Sequence, residues 1–389
     1  MKTRFAFLSA LLFVMIVFCA CRDTTKETTL KSTQTTMSPV LAEMETESPT
    51  NRRDKLERFS TMFLDTFDTV ISFTAFASNE AEFQEQATLV HATFQYLHKL
   101  FDCYHSYEDE GIISIYTVNE KAPDGPVEVD PILFQMLKFA KSNYEIGREQ
   151  TNIAMGSVLS IWHTYRENGL DNPEKAALPP LKDLTEASIH TKMDDLVLNE
   201  DSGTVWFADP ELLLDVGAVA KGYATEVVAS LLSGNGMSSF IISAGGNVRV
   251  GNPPEDGRPN WGIGIQDPDG AIYGTSDIVE TLFLHDCSVV TSGDYQRFYT
   301  VDGKRYCHLI DPDTLMPGEF YRSVSIITQD SGYADFLSTA AYLMPYEESR
   351  AFVDSLSDVE ALWVFADGHI EMTEGITTAA KSKGATNVR

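Results

Sequence analysis

Two Asp-Gly pairs, Asp302-Gly303 and Asp367-Gly368, stand between short runs that read as strands. A two-residue Asp-Gly link supplies the positive φ that a type I′ turn needs, and the twist of that turn matches its flanking strands. Each pair therefore commits its neighbours to antiparallel pairing. The other predicted helices and strands mix irregularly, without an internal repeat and without steady βαβα alternation, so a doubly wound parallel sheet is excluded. The expectation is one α+β domain over roughly residues 60–380, a mostly antiparallel sheet flanked by helices. The 389 residues leave room for such a domain plus appendages.

Local patterns fill in that outline. Residues 62–77, "MFLDTFDTVISFTAFA", are β-branched and aromatic and predict a strand with a break near Asp68. Phe83, Ala87, Val90, Phe94, Leu97 and Phe101 recur by threes and fours and predict an amphipathic helix over 80–102. Asp130-Pro131 opens a helix over 130–147, and another starts near Asn152. "LLLDVG" at 212–217 predicts a strand running into a helix that ends at Gly234 and Gly236. "SSFIISAGGNVRVG" predicts a strand with a glycine break, and Trp261, Ile263 and Ile265 alternate along the next. "RSVSIITQ" predicts a further strand, followed by the helix "GYADFLSTAAYLM".

The first 59 residues predict no folded structure. "MKTR", then "FAFLSALLFVMIVFCA", then Cys21 after Ala20, reads as a secretory signal over 1–20 with a lipobox-like end. Cys21 is then the lipidated first residue of a chain anchored to the cell membrane outside the cytoplasm. Residues 21–59, rich in Ser, Thr, Glu and Lys, predict a disordered tether, and 381–389 a flexible tail. Cys103, Cys287 and Cys307 remain, with no CxxC or zinc spacing; buried thiols are expected, with a Cys287–Cys307 disulfide as the alternative. A formal net charge of -28 argues against a nucleic-acid partner. It also means that any anionic ligand must be held by local donors, a metal or helix ends.

Three stretches carry candidate chemistry. Asp335 and Thr339 are four apart on a predicted helix, so a carboxylate and a hydroxyl share one face, as a hard cation such as Mg²⁺ needs. From that pair alone, a capped or solvated helix start is the favoured account. "LLLDVGAVAKGYA" sets Asp215 at a predicted strand end, then a helix start whose free N–H groups attract phosphate, with Lys221 beside it. This is neither GxxxxGK[ST] nor GxGxxG, and a structural turn explains it as well. "TSGDYQRFYTVDGKRYCHLIDP" supplies Thr291, Ser292, Asp294, Arg297 and His308 on a loop and hairpin. His91 and His98 share a helix face without evident partners. No G-x-S-x-G elbow or HExxH occurs.

Taken in order, "LLLDVGAVAKGYATE", "FIISAGGNVRVG", "VVTSGDYQRFYTVDGKRYCHLIDP" and "ADFLSTA" resemble the FAD:protein FMN transferase family of the ApbE type. "FDTVISFTAF" and "TNIAMGSVLSIW" match less closely. The resemblance runs from about residue 63 to 345. It implies an ApbE-like, T-fold-like domain that uses Mg²⁺, breaks the pyrophosphate of FAD and passes FMN to a Thr or Ser hydroxyl of a partner flavoprotein, releasing AMP. Carried over by position, Ala218, Asp335 and Thr339 look like metal ligands. Phe67, Tyr104, Gln150, Thr151, Asn152, Asp215, Lys221 and Ile310 look like cofactor contacts, and Thr291, Ser292 and Gly293 border the cofactor. Many relatives have Met-Gly-Thr at the positions of Phe67-Asp68-Thr69, and Phe-Asp at those of Asn152-Ile153.

The acceptor hydroxyl must lose its proton, and His308 is the candidate base, with Asp294 as the alternative. On the same face of the second hairpin strand, His308 would meet the phosphate and Ile310 an apolar part of the cofactor. Two rival readings use the same residues: a Mg²⁺-dependent FAD pyrophosphatase with water as acceptor, and a flavin-binding lipoprotein without catalysis. "SKGATNVR" at 382–389 lacks the context of a D-G-x-[ST]-G-A-[ST] acceptor motif, so the chain is expected to modify an extracytoplasmic redox partner rather than itself.

Overall fold

The computed structural model describes residues 56–270 and 278–388. The expected signal, Cys21 and most of the tether lie outside the described residues. Eight strands form one sheet in the order Glu57–Thr66, Thr69–Ala77, Phe240–Ala244, Asn247–Val250, Cys287–Gly293, Ser323–Thr328, Glu360–Val364 and Ile370–Met372. Spatial order follows chain order, so the sheet is one antiparallel meander into which helices and small hairpins are inserted.

Alternation along the strands builds two cores. Val290, Ile326 and Trp363 face helices Glu80–Leu100, Ala220–Gly234 and Ser331–Leu343. Their chain neighbours Val289, Ile327 and Leu362 face the other way, against Trp261, Ile263 and Ile265 of the hairpin Trp261–Gln266 and Ile278–Leu284. Successive side chains in a strand point to opposite faces, so a sheet apolar on both sides must be covered on both. The first strand begins at Glu57 rather than within a domain starting at 60, because Phe59, Thr61 and Phe63 already alternate inward.

Several expectations need correcting. The break near Asp68 is a full reversal: Thr66 pairs with Thr69, and Phe67 and Asp68 turn the chain at φ 54 and 50. A left-handed non-glycine residue costs on the order of 1–2 kcal/mol. Here the turn is held by Phe67 N–H donating to His98 Nδ1 at 3.3 Å and by Arg297 donating to Phe67 O at 3.4 Å. His98 and His91 thus have partners after all, His91 bonding Asp65 at 2.8 Å. The glycine break at 245–246 is likewise a hairpin, with φ 57 and 98. A side chain at Gly245 would meet Thr69 Oγ1 at 2.3 Å.

The predicted strand 212–217 does not form. Leu212, Leu214 and Val216 are buried, but their segment lies among loops. Its backbone groups are satisfied by the Asn119 amide at both Leu214 N and O, by Ile153 O and by Gly156 N. Buried backbone must be paired, yet the partner need not be a strand. The helix expected near Asn152 starts at Gly156. The predicted tail is docked: Ser382 donates to the buried carboxylate of Glu280, and Asn387 and Asn260 exchange bonds of 2.9 and 3.1 Å. Cys103, Cys287 and Cys307 are free thiols rather than a disulfide, but only Cys307 of the three is buried and the other two are half-buried.

Candidate active site

A cavity of about 2010 Å³ opens between the outer end of the sheet, the loop at 102–107, helix Gly156–Asp171, the hairpin Phe298–Val301 and Lys304–Cys307, and the facing ends of helices Ala220–Gly234 and Ser331–Leu343. Helix Ser331–Leu343 is buried along its whole length, which drives Asp335 and Thr339 inside although both are polar. Asp335 is 4% and Thr339 7% exposed, and both line the cavity.

The first turn of helix Ala220–Gly234 explains what these two residues face. Gly222 N–H donates sideways to Asp335 Oδ2 at 2.7 Å rather than back to Ala218 O. The Ala218 carbonyl therefore accepts no hydrogen bond among the described residues and also lines the cavity. The Thr339 hydroxyl makes no hydrogen bond among the described residues, while Asp335 takes the Gly222 N–H at Oδ2 and has the Asn247 amide beside it. Burial pushes the Asp335 carboxyl above the usual carboxylate range, offset by Lys221, the Gly222 N–H and the Asn247 amide. One carboxylate, one hydroxyl and one carbonyl released toward one cavity are the hard oxygen donors that Mg²⁺ takes, with water and phosphate completing its shell. No cluster of three or more His, Cys, Asp or Glu side chains suited to a metal exists among the described residues. The residues fit the expected Mg²⁺.

Gly222 makes this approach possible. A Cβ there would lie 2.3 Å from Ser331 O and 2.4 Å from Asp335 Cβ. Gly222→Ala must push the two helices apart, and overpacking of this kind costs about 1–3 kcal/mol. Thermal unfolding should show that loss, and AMP release from FAD should fall further than the unfolded fraction accounts for. Wild-type activity in the variant would refute the link between helix spacing and the donor set.

The hairpin turn forms as predicted, with Asp302 at φ 49 and Gly303 at φ 80. The second strand, however, stops at Cys307, and His308 sits at the bend beyond it. His308 and Ile310 nevertheless both line the cavity, Ile310 buried at 5%. The ring Nδ1 of His308 lies 3.2 Å from Arg297 O. A carbonyl only accepts, so Nδ1 carries the proton and Nε2 keeps its lone pair. Enclosure in the cavity wall, then Arg297, Lys221 and Arg166, lower the His308 pKa to about 3. The ring is neutral at physiological pH.

Asp294 does not reach the site. Its carboxylate accepts from Arg322 Nε at 2.8 and 3.1 Å, and it is absent from the cavity wall. Just past the end of strand Cys287–Gly293, it joins Arg322, which also pairs with Asp269. Asp294→Asn should leave flavin transfer within about threefold of wild type while costing about 1.5–3 kcal/mol, the range for a hydrogen bond to a charged group. Denaturant unfolding and a transfer assay together check this.

Thr151 is a second departure: its hydroxyl donates to Phe336 O at 2.8 Å and does not line the cavity. Gln150, Asn152, Phe67, Tyr104, Asp215, Lys221, Thr291, Ser292 and Gly293 do line it. Asp215 is folded onto Gly217 N–H at 2.8 Å. The Ser292 hydroxyl lies 2.8 Å from that of Ser338, which donates to Asp335 O at 2.9 Å, so Ser292 braces the carboxylate's helix. Residues not singled out from the sequence also converge. Asp102 holds the 102–107 loop through Tyr104 N, His105 and Tyr107. His163 stacks on Tyr104 at 4.7 Å and lies 2.9 Å from Arg166. His163 and Arg166 are three apart on one helix face, a spacing that is visible in the sequence.

Known proteins share the sequence family and the fold. The sequence model of the ApbE family matches residues 67–363. Over 278 residues the chain is 34% identical to the FAD:protein FMN transferase of Treponema pallidum (strain Nichols), covering 68% of this chain and 74% of that one. It is 27% identical over 272 residues to an FAD:protein FMN transferase of Klebsiella pneumoniae (strain 342), covering 68% and 81%. Among solved structures, the ApbE protein of Thermotoga maritima matches with a TM-score of 0.72 at 26% identity, covering 83% of this chain and 99% of that one. The apo flavinyl transferase ApbE of Pseudomonas stutzeri matches in fold, with a TM-score of 0.68 at 22% identity over 84% and 97%.

Proposed function

The chain belongs to the ApbE family and is a flavin transferase, and on that footing we propose that it moves FMN from FAD to a Thr or Ser hydroxyl of a partner flavoprotein, with Mg²⁺ held by Ala218 O, Asp335 and Thr339. The pyrophosphate P–O–P bond breaks, a phosphoester P–O bond forms to the acceptor oxygen, and AMP leaves with the bridging oxygen. The acceptor proton passes to His308 Nε2. The observation that carries this reading is the convergence of the Ala218 carbonyl, the Thr339 hydroxyl and the Asp335 carboxylate on the cavity that His308 also lines with its free lone pair.

Each part has a physical task. Phosphoryl transfer asks for positioning and charge stabilisation more than covalent chemistry. In a chain of net charge -28, Lys221, Arg166 and Arg297 make the His308 side of the cavity locally positive, as a pyrophosphate needs. Bound Mg²⁺ would neutralise pyrophosphate oxygens and the charge developing on the leaving AMP. Phe67, Tyr104 and Ile310 offer apolar surface to the flavin or adenine rings. Water at the place of the acceptor hydroxyl would give FMN and AMP from the same site.

Incubation with FAD, MgCl₂ and an acceptor protein tests the reading. Covalent flavin fluorescence on the acceptor with stoichiometric AMP, both abolished by EDTA, is the expected result; AMP without labelling would establish a pyrophosphatase instead. The leader-like N-terminus supports an enzyme lipid-anchored through Cys21 at the outer side of the cell membrane. Cys21→Ala should then release it to the soluble fraction and abolish palmitate incorporation.

A further inference from the structure

The hairpin Trp261–Gln266 and Ile278–Leu284 covers only part of the second face of the sheet. At the outer end, Met62 and Leu64 stay 48% and 61% exposed, while Phe59 and Phe63 of the same strand are buried on the opposite face. Val70 and Ser72 on the neighbouring strand continue the bare corner, Met62 pairing with Ser72. These four residues are also part of the cavity wall, so the corner and the site form one surface.

We propose that this corner is where the acceptor protein docks, as an extended segment that covers Met62 and Leu64 with an apolar side chain and extends its Thr or Ser hydroxyl into the cavity. The inference rests on the transferase reading above. Two observations favour a polypeptide occupant. The cavity, at about 2010 Å³, is about twice the upper end for sites that enclose a small ligand, about 1,000 Å³, so FAD leaves space for a second occupant. The second substrate of a protein-modifying transferase must also enter as a chain segment, and the bare corner is continuous with the wall it must reach. An extended segment places alternate side chains on one face, so its apolar residue and its hydroxyl-bearing residue both point at this surface when an even number of positions apart. Exposed apolar area edged by polar residues, here Ser60 and Ser72, is the signature of such contacts.

The test is the double variant Met62→Asp/Leu64→Asp, with Met62→Ala/Leu64→Ala as a milder pair; both sites are exposed, so the fold should hold. The acceptor is a flavoprotein that wild type labels in the FAD and MgCl₂ assay above. The KM for acceptor should rise at least tenfold in the Asp pair and less in the Ala pair, while the KM for FAD and acceptor-free AMP release stay as in wild type. Unchanged acceptor KM overturns the proposal, and so does loss of AMP release in step with labelling, which would assign the corner to FAD. Wild type that releases AMP but labels no acceptor removes the transferase reading itself, a different failure. Loss of binding to phosphatidylglycerol vesicles with labelling intact would make the corner a membrane surface and also overturn the proposal.

Discussion

Asp335→Asn is expected to lower FMN transfer about a thousandfold and to leave the folded protein at least as stable as wild type when Mg²⁺ is absent. The size follows from removing one preorganised electrostatic group from a water-poor site, which costs about 10²–10³ in rate, and the one carboxylate among the three proposed metal ligands goes with it. The stability half follows from burial. A carboxylate 4% exposed is disfavoured as an anion, and its asparagine analogue keeps an oxygen for the Gly222 N–H without the charge. Catalytic groups held against local stability show this pairing of lost activity with kept or raised stability. Thermal unfolding with and without MgCl₂ gives an independent reading. A ligand at a hundred times its Kd stabilises by about 2.7 kcal/mol, so wild type should shift upward with Mg²⁺ and the variant should not. Retained transfer with an unchanged Mg²⁺ requirement would move the metal site elsewhere.

The contrast between Asp335 and Asp294 shows what the sequence made legible. Spacing of four on a helix sufficed to place Asp335 and Thr339 together, because helix geometry is local and the helix formed as predicted. Asp294 was separable from the site only in three dimensions: its partner Arg322, which also pairs with Asp269, comes from a distant segment. The Ala218 carbonyl is intermediate. Resemblance pointed to it, but the reason it is free, a Gly222 N–H diverted to Asp335, depends on two helices meeting at a distance only glycine allows. Antiparallel topology was readable from the Asp-Gly pairs, since a turn commits its own flanks. The reversals at Phe67-Asp68 and Gly245-Gly246 were read as breaks, because a break and a hairpin differ only in what the flanks pair with. Segment 212–217 has strand composition, yet its bonds go to Asn119, Ile153 and Gly156, and no local pattern announces such partners.

His308→Gln should cut FMN transfer about 10²–10³-fold with FAD binding retained, within the usual range for a positioned general base. The pH dependence separates this role from a structural one. In the free protein the His308 pKa is lowered to about 3, chiefly by desolvation of the half-buried ring in the cavity wall and then by Arg297, Lys221 and Arg166. Against an unfolded value near 6.5, the unfolded chain binds a proton that the folded chain refuses between those limits. The folded state therefore loses stability as pH falls from about 6.5 toward 3, and His308→Gln should unfold at lower pH than wild type. The same cations that hold the pKa down are those a bound diphosphate neutralises. Two negative phosphoryl groups beside Arg297, Lys221 and Arg166 must raise the His308 pKa, making Nε2 a stronger base once FAD is in place. The acidic limb of kcat/KM, which reports free enzyme, should lie well below that of kcat, which reports the complex, and His308→Gln should erase both limbs. Coincident limbs that survive the substitution would assign the proton transfer to another group. Their separation in wild type would mean that the substrate itself tunes the base, so that an empty site keeps a weak one.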